Sequence, residues 1–560
     1  LSDREHLAKM NLVAGRKALA SMAYPSALKY LNIGINLLAD DSWETKYQLT
    51  FALYETATEA AYLGGNFEEM EQLAEVVLQQ AKTLLEKVKV YEIKIQAYTS
   101  QNRLLEAIAI ARQVLQYFGL NFPDSPSERD IQHSFQKTTL LLANKTVEDL
   151  INLPLMTSAK HLAIIRIVSS MIPPTYIADP LLFPLIILSQ VNLSIQYGNA
   201  PLSAFCYACY GILLNGIQKD IEAAFQFGNL ALKLVNQINS QDIEIKTLYV
   251  LGAFIFHKKS HIQESSAILL KGYKTALETG DFAFVGYCIK EICLHSYFTG
   301  KELINLEKEI INYSHVLQNL KQATTLNYCL ISLQTVMNLL GKSDQACNLI
   351  GEAYNEDTSL FLLIQANDLN GLHYYYLHKL ILCYLFGSFI EAQKNIIQGK
   401  KYLAGGTGFI TIPIFSFYES LTALAIYPTV KNEPDTLLQQ VADNQVNLRQ
   451  LAEHAPMNYL HKFYLVEAER YRVRGDYFQG MELYEQAISL AKKHKYLNEE
   501  ALAYELAAKF YLAWGKTKTA KNYLTYAYYA YIRWGAMAKV ADLVKRYPQL
   551  LAPKLQPEKI

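Results

Sequence analysis

The sequence predicts an all-α protein: a superhelical solenoid of stacked helical hairpins with one irregular, proline-interrupted helical segment. Three observations predict this fold. The 560 residues exceed what one hydrophobic core holds, so several domains or a repeat array are expected. Apolar residues make up 51% of the chain and charged residues 19%, which is typical of a well-packed protein and not of a disordered one. A skeleton of small and aromatic residues also recurs around glycine-containing turns.

The repeat is clearest near the C-terminus. Residues 467–491 place Ala468 and Tyr471 before a turn at Gly475, and the stretch 506–531 repeats that order around Gly515, 40 residues later. Small residues let the two helices of a hairpin approach closely, and aromatic residues fill the space between hairpins. This is the pattern of tetratricopeptide repeats at a period somewhat above their usual ~34 residues. Residues 461–547 are therefore predicted to be C-terminal tetratricopeptide repeats, followed by a linker at 548–560.

Similar but weaker copies predict two further repeat regions. Residues 1–120 are expected to form N-terminal tetratricopeptide-like repeats, with turns at Gly65 and, 37 residues on, at Asn102. Residues 206–400 are expected to form central helical repeats, including one around Gly387 and one around residues 340–353. One hairpin cannot bury its apolar face alone, so these units must stack on one another.

Two segments break the rhythm. Residues 121–205 are apolar and repeatedly interrupted by proline, which predicts three or four buried helices joined by tight proline turns and packed into the solenoid. Residues 401–460 are expected to be a connector that begins with the glycine loop GGTGF, read as a flexible turn before a helix at 413–427. No strand is predicted before this loop and no phosphate-binding lysine follows it, so a nucleotide loop is not favoured.

Three short motifs are interpreted as structural. Arg474-Gly475-Asp476 lies at a repeat turn, where glycine can end one helix and Asp476 can cap the next. Gly341-Lys342-Ser343 is not a P-loop, because Val336 stands where that motif needs glycine. Cys206 and Cys209 lack a second pair of metal ligands, so both are expected in the core.

The composition of the chain indicates which kinds of partner and which cellular compartment to expect. The formal net charge is zero and no long basic run is present, which argues against nucleic-acid binding. The most apolar stretch, 179–195, is too short and too polar to cross a membrane. Seven scattered cysteines and the lack of a signal-peptide pattern favour the cytoplasm. No catalytic or metal-binding motif was found, so we expect neither an enzyme nor a cofactor in this chain.

Repeat arrays of this kind commonly bind partners along the concave face lined by the first helix of each hairpin. Counting back from the turn glycines predicts the following groove residues: Glu55, Glu59, Tyr62, Tyr374, Tyr384, Lys462, Glu469, Arg472, Glu505 and Lys509. Charges at the ends and an aromatic centre would suit a peptide. The same positions suit solvated helix faces and packing between repeats equally well.

Several long motifs point to a family. They are LINLPLMT, IPPTYIADPLLFPLIILSQVNLSIQYGNAPLSAFCYACYG, HAPMNYLHKFYLVEAER, LNEEALAYELAAKFYLAWGK and YIRWGAMAKVADLVKRYPQLL. Together they resemble the helical region of very large multi-sensor signalling kinases, known best from cyanobacteria. Those proteins join a serine/threonine kinase, an AAA-type ATPase, this tetratricopeptide-like region, a GAF sensor and a histidine kinase. The resemblance implies that ATP acts in flanking modules of the parent protein, and it carries over no catalytic residue to this chain.

The function expected from these observations is a non-catalytic sensing or coupling module of a signal-transduction kinase, lying between the ATPase and the GAF and histidine kinase parts. Its partners would be proteins, an inducer, or the flanking modules, and formation of a homo-oligomer stays open. The alternative is a passive interaction scaffold or dimerisation spacer. An inducer-sensing arm of a transcription activator would need a DNA-binding helix-turn-helix, which the sequence does not show.

Overall fold

The computed structural model describes residues 2–429 and 434–551, and over these ranges the chain is all-α. The only β-type pairings in this part are two isolated bridges, Leu155 with Asn199 and Ile350 with Asn355. The predicted fold class is therefore confirmed. The predicted linker at 548–560 lies mostly outside the described residues.

The first part of the chain up to residue 216 consists of α1 (Ser2–Ala20), α2 (Tyr24–Asn36), α3 (Ser42–Thr45), α4 (Tyr47–Leu63), α5 (Phe67–Gln80), α6 (Leu84–Ser100), α7 (Leu104–Tyr117), α8 (Glu128–Leu142), α9 (Val147–Ile151), α10 (Ala159–Ala178), α11 (Leu182–Tyr197) and α12 (Ser203–Gly216).

The middle part consists of α13 (Ile221–Ile238), α14 (Gln241–Val250), a π-helical turn (Leu251–Ile255), a 3-10 turn (Phe256–Lys258), α15 (Ile262–Thr279), α16 (Phe282–Phe298), α17 (Leu303–Asn319), α18 (Ala323–Leu340), α19 (Glu356–Gln365), α20 (Leu369–Leu385) and α21 (Phe389–Gly399).

The last part consists of a 3-10 segment (Lys400–Gly406), α22 (Thr411–Ile426), a 3-10 turn (Tyr427–Thr429), α23 (Pro434–His454), α24 (Pro456–Arg474), α25 (Tyr477–Lys493), α26 (Leu497–Ala513), α27 (Thr517–Trp534), α28 (Met537–Arg546) and α29 (Pro548–Leu551).

Glycines end helices where the sequence predicted turns. Gly65, Gly387, Gly475 and Gly515 all have φ between +70° and +79°, a left-handed conformation that glycine adopts without steric cost. The side chain of Asp476 accepts a hydrogen bond from the Gln479 amide at the start of α25. The tripeptide Arg474-Gly475-Asp476 is thus a helix end followed by a helix cap, as predicted.

Helices of each pair pack antiparallel, and the pairs then wind into a superhelix. Hydrogen bonds join residues separated by similar distances along the chain: Thr324 to Thr99 across 225 residues, Lys219 to Asn447 across 228 and Asn498 to Phe298 across 200. One superhelical turn therefore takes roughly this many residues, and successive superhelical turns touch. The largest cluster of buried apolar residues has members from Val88 to Leu551, and a smaller one is built mainly from α1, α2, α4, α5 and α6.

Two local predictions were wrong. Pro173 and Pro174 do not form a turn, because α10 continues through both of them. Burial of the surrounding apolar side chains offsets a cost of about 3 kcal/mol for an internal proline.

Residues 342–355 form no second helix. Asn338 donates to three backbone carbonyls of this segment, and Gln334 accepts from the amides of Ala353 and Tyr354, so side chains satisfy its backbone instead.

No helix within the described ranges combines the length and the apolarity that crossing a bilayer requires.

Candidate functional site

The inner layer of the superhelix is the candidate functional site. It is built from alternate helices, α14, α16, α18, α20, α22, α24 and α26, which follow one another in contact. Nearly every residue of α16, α20 and α22 is buried, because these helices are apolar around their whole circumference. The outer helices, such as α13 and α27, are amphipathic and keep one face in solvent. The concave side is therefore packed.

The predicted groove is consequently closed over part of its length. Burial among neighbouring helices rules out the open-groove interpretation and leaves the alternative of packing between repeats for five of its residues: Tyr374, Tyr384, Lys462, Glu469 and Glu505. The other five are half-buried: Glu55, Glu59, Tyr62, Arg472 and Lys509. Glu59 pairs with Lys89, with the two charged atoms 2.5 Å apart. For these five, a role in partner binding stays a prediction.

Lys462 belongs to a buried ionic cluster that the sequence did not reveal. Its ammonium lies 2.8 Å from Glu499 and donates to the Asn458 carbonyl at 2.8 Å. His461 also bonds to Glu499. Burial would raise the pKa of Glu499, but Lys462 and His461 outweigh burial and hold that pKa below its usual value. The cluster joins α24 to α26 through charges that solvent does not screen.

Glu505 is the centre of a second cluster. Its carboxylate pairs with Lys509 at 2.7 Å and with Lys539 at 3.1 Å, and it accepts from the Tyr531 hydroxyl at 2.8 Å. Lys539 also donates to the Leu385 carbonyl at 2.5 Å. Burial alone would raise the pKa of Glu505, but the two lysines lower it to about 2. This cluster ties α26 and α28 to the end of α20.

Glu469 forms a third cluster on the same layer. It pairs with Arg472 at 2.7 Å and accepts a hydrogen bond from the Tyr484 hydroxyl. Arg472 in turn donates to the Leu424 carbonyl at 3.3 Å, which connects α24 to α22. Each buried carboxylate is therefore neutralised within the protein, and none of the three is left free to bind a ligand.

Lys290 and Glu291 form a further buried ion pair, on α16. Their charged groups are 2.7 Å apart, and the ammonium of Lys290 lies 4.2 Å from the Phe409 ring centroid and 5.1 Å from that of Tyr374. Burial lowers the pKa of Lys290, and Glu291 opposes this effect. Aromatic faces and one carboxylate together stabilise an ammonium far from water.

Asn458 shows how the superhelical turns are joined. Its side-chain amide donates to the His257 and Ser260 carbonyls at 2.7 and 2.8 Å. Its oxygen accepts from the Ile262 amide at 3.2 Å and from the Tyr496 hydroxyl at 2.7 Å. One asparagine thus uses its full hydrogen-bonding capacity to connect α24, α26 and a segment about 200 residues earlier.

Sequence reasoning missed Glu499, Lys539, Lys290, Glu291 and Asn458, all of which are buried. One signal was available: charged residues that stand inside helices apolar all round, such as FAFVGYCIKEICLHSYF, must find partners in the interior. The expected core position of Cys206 and Cys209 is confirmed. Over residues 2–429 and 434–551, no three His, Cys, Asp or Glu side chains group so that they could hold a metal ion.

Comparison with known proteins gives a signalling context. No model of a known protein family matches the chain. The chain is 23% identical to the hybrid signal transduction histidine kinase G of Dictyostelium discoideum, over 98% of its own length. It spans only about a fifth, 20%, of that curated relative. A solved structure described as a circular tandem repeat protein with novel repeat topology and enhanced subunit contact surfaces is 12% identical, with coverage of 98% and 99% and a TM-score of 0.15.

Proposed function

We propose that this chain is a non-catalytic helical-repeat module that senses or couples signals within a multidomain signal-transduction kinase. The similarity to a hybrid histidine kinase extends over 98% of the chain, which supports a place inside a larger signalling protein. In the finer form of the proposal, the module lies between an AAA-type ATPase and the GAF and histidine kinase parts, in the cytoplasm. ATP would act in those modules, and this chain would work without a cofactor.

The observation that carries the proposal is the direct bonding between successive superhelical turns. Asn458 contacts a segment about 200 residues away, and Thr324 bonds to the Thr99 carbonyl at 2.8 Å across 225 residues. α18 contacts α6 on one side and α28 on the other, so it connects early hairpins with the last ones. A rearrangement in one superhelical turn must therefore break or move bonds in the next, which is what a coupling element needs.

The test uses the complete parent protein. Deleting residues 1–545 in frame is expected to abolish regulation of kinase output, measured as phosphotransfer from labelled ATP with and without the activating signal. Normal, regulated output after this deletion would overturn the proposal.

A second variant distinguishes the coupling role from the alternative role of a passive scaffold. Asn458→Ala removes bonds between superhelical turns and alters no exposed side chain. A coupler loses regulated output while partner binding persists, whereas a scaffold keeps its output unchanged. Circular dichroism confirms first that the variant remains helical.

A further inference from the structure

A cavity of about 330 Å³ lies beside the glycine loop, where α12, the 3-10 turn Phe256–Lys258, residues 403–409 and α23 meet. Its volume suits a small organic molecule. Two lysines, Lys219 and Lys258, line it, and among the described residues that form its wall there is no acidic side chain. The cavity is therefore a locally positive site, although the chain as a whole is neutral.

Lys258 is the unusual feature of this cavity. The residue is only 8% exposed, yet within the described residues its ammonium forms no ion pair and no hydrogen bond. Burial lowers its pKa to about 7. The ammonium nitrogen of Lys258 has no protein partner and is not fully enclosed by protein atoms. The other buried lysines described above are all paired with carboxylates. Lys259, the next residue, turns to the surface and pairs with Glu222.

Local backbone irregularity places Lys258 in the cavity. α14 ends in the π-helical turn Leu251–Ile255, and the 3-10 turn that follows ends at Lys258. Such π-helical turns are rare and often accompany functional sites. Asn215 donates to the Phe254 carbonyl at 2.8 Å, and its own side-chain oxygen is buried without a partner. Asn215 thus holds the backbone of this turn, and both Asn215 and Lys258 line the cavity.

The glycine loop forms a fixed wall and not the flexible turn expected from the sequence. Three of its carbonyls accept hydrogen bonds from different parts of the molecule: Gly405 from Asn370 at 2.6 Å, Thr407 from Tyr176 at 2.7 Å, and Gly408 from His257 at 3.3 Å. Gly408 has φ of +87°, which favours glycine. The wall is preformed, so a ligand would not have to order it.

Part of the cavity lining is apolar. Phe409, Ile412, Leu448 and Leu451 line it. No arginine contributes to the wall among the described residues, so the bidentate geometry that favours phosphate groups is absent there. One unpaired lysine from a buried residue in a lining that also contains apolar side chains matches a ligand with one negative charge and a hydrocarbon part.

We propose that this cavity binds a small organic monocarboxylate, whose carboxylate pairs with Lys258 and whose apolar part lies against Phe409 and Ile412. The site goes beyond the proposed function, because binding to this chain does not require that the chain regulate a kinase.

Titration calorimetry on the 560-residue chain tests the proposal, with phenylacetate and 4-methylpentanoate as probes. Each is compared with its uncharged amide, and acetate and inorganic phosphate serve as further controls. We expect both probes to bind at least about tenfold more tightly than their amides, which corresponds to one buried ion pair. Binding at pH 8 should take up protons, because an anion beside Lys258 favours its charged form.

Two lysine variants form a matched pair. Lys258→Met removes the charge and keeps the length of the side chain, so it should weaken carboxylate binding by at least about tenfold and raise the melting temperature. Lys259→Met should leave binding unchanged. The proposal is overturned if neither probe binds below 10 mM, as a rough limit, if the amides or phosphate bind equally well, or if Lys258→Met retains binding. A lower melting temperature of Lys258→Met would also contradict it, because Lys258 would then be structurally paired.

Discussion

At the scale of single residues, the sequence singled out several charged residues of the inner layer and only some of the residues that pair with them. Lys462, Glu469 and Glu505 lie on α24 and α26. Glu469 and Glu505 each pair with a residue of the same helix, whereas Glu499 and Lys539 reach Lys462 and Glu505 from neighbouring helices. Lys539, for example, lies 34 residues after Glu505. A counting rule for one hairpin gives the direction of a side chain and no distance to the next hairpin, so it could not distinguish an open groove from packing between repeats.

Glu505 gives a prediction at this scale. Glu505→Gln should destabilise the protein by about 3 kcal/mol, because it removes the charge that pairs with buried Lys539. The effect should depend on pH. Since Lys509 and Lys539 overcome burial and lower the pKa of Glu505 to about 2, the wild-type advantage is complete above the usual carboxyl pKa of 4.5. It is lost as pH falls from there towards 2.

Urea unfolding followed by circular dichroism at pH 7, 5, 4 and 3 measures this difference. Lys509→Met is the control, since the Lys509 side chain is 29% exposed and its loss should cost less. A gap between wild type and Glu505→Gln that stays constant across the pH series would contradict the account.

At the scale of helices and loops, the sequence predicted where helices end more accurately than where a helix continues through an unfavourable residue. Turn glycines and the Asp476 cap follow from local backbone chemistry, and the structure has them as predicted. The continuation of α10 through Pro173 and Pro174 depends on burial by other helices, which no local pattern contains. The same holds for residues 342–355, whose backbone is satisfied by Asn338 and Gln334 from α18.

Alanine substitutions at two loop glycines distinguish the cost of backbone strain from the cost of a steric clash between superhelical turns. Gly475 and Gly300 both have positive φ, at +79° and +70°. A Cβ at Gly475 would meet nothing within 4 Å, whereas a Cβ at Gly300 would lie 2.6 Å from the Asn498 amide nitrogen. Gly475→Ala should cost about 1 kcal/mol from the left-handed backbone alone. Gly300→Ala should cost about 1–3 kcal/mol more, because the next superhelical turn cannot yield.

Thermal and urea unfolding of the two variants gives both values, and Gly515→Ala, which also has open space around its Cβ, repeats the first. Equal losses at Gly300 and Gly475 would mean that the loop of Gly300 does not pack against Asn498.

At the scale of the whole molecule, the sequence predicted a superhelix but not that its successive turns would pack directly against one another. A compact protein of 63.5 kDa would expose about 20,000 Å². The observed surface is 23765 Å², far closer to a compact body than to an open, extended array. Small rotations between hairpins add up to the superhelical pitch, and no single repeat encodes them. The recurrence of contacts about 200 residues apart therefore emerges only from the assembled fold.

This closure has a functional consequence under the proposed role. A regulator that bound along an open groove would change curvature freely, whereas here movement must break bonds that join distant segments. The protein is then expected to switch between discrete arrangements, since packed interfaces do not deform continuously. A ligand in the cavity beside Lys258 would act near such a junction, because His257 bonds both to Tyr459 and to the glycine loop.

Hydrogen exchange on Asn458→Ala tests the joining of superhelical turns most directly. The Ile262 amide donates to the Asn458 side chain, although 196 residues separate the two positions. We predict that this amide and its neighbours at 256–262 exchange at least about tenfold faster in the variant. Asn312→Ala, on the exposed face of α17, should leave them unchanged. If exchange at 256–262 does not respond to Asn458→Ala, successive superhelical turns are not joined as described.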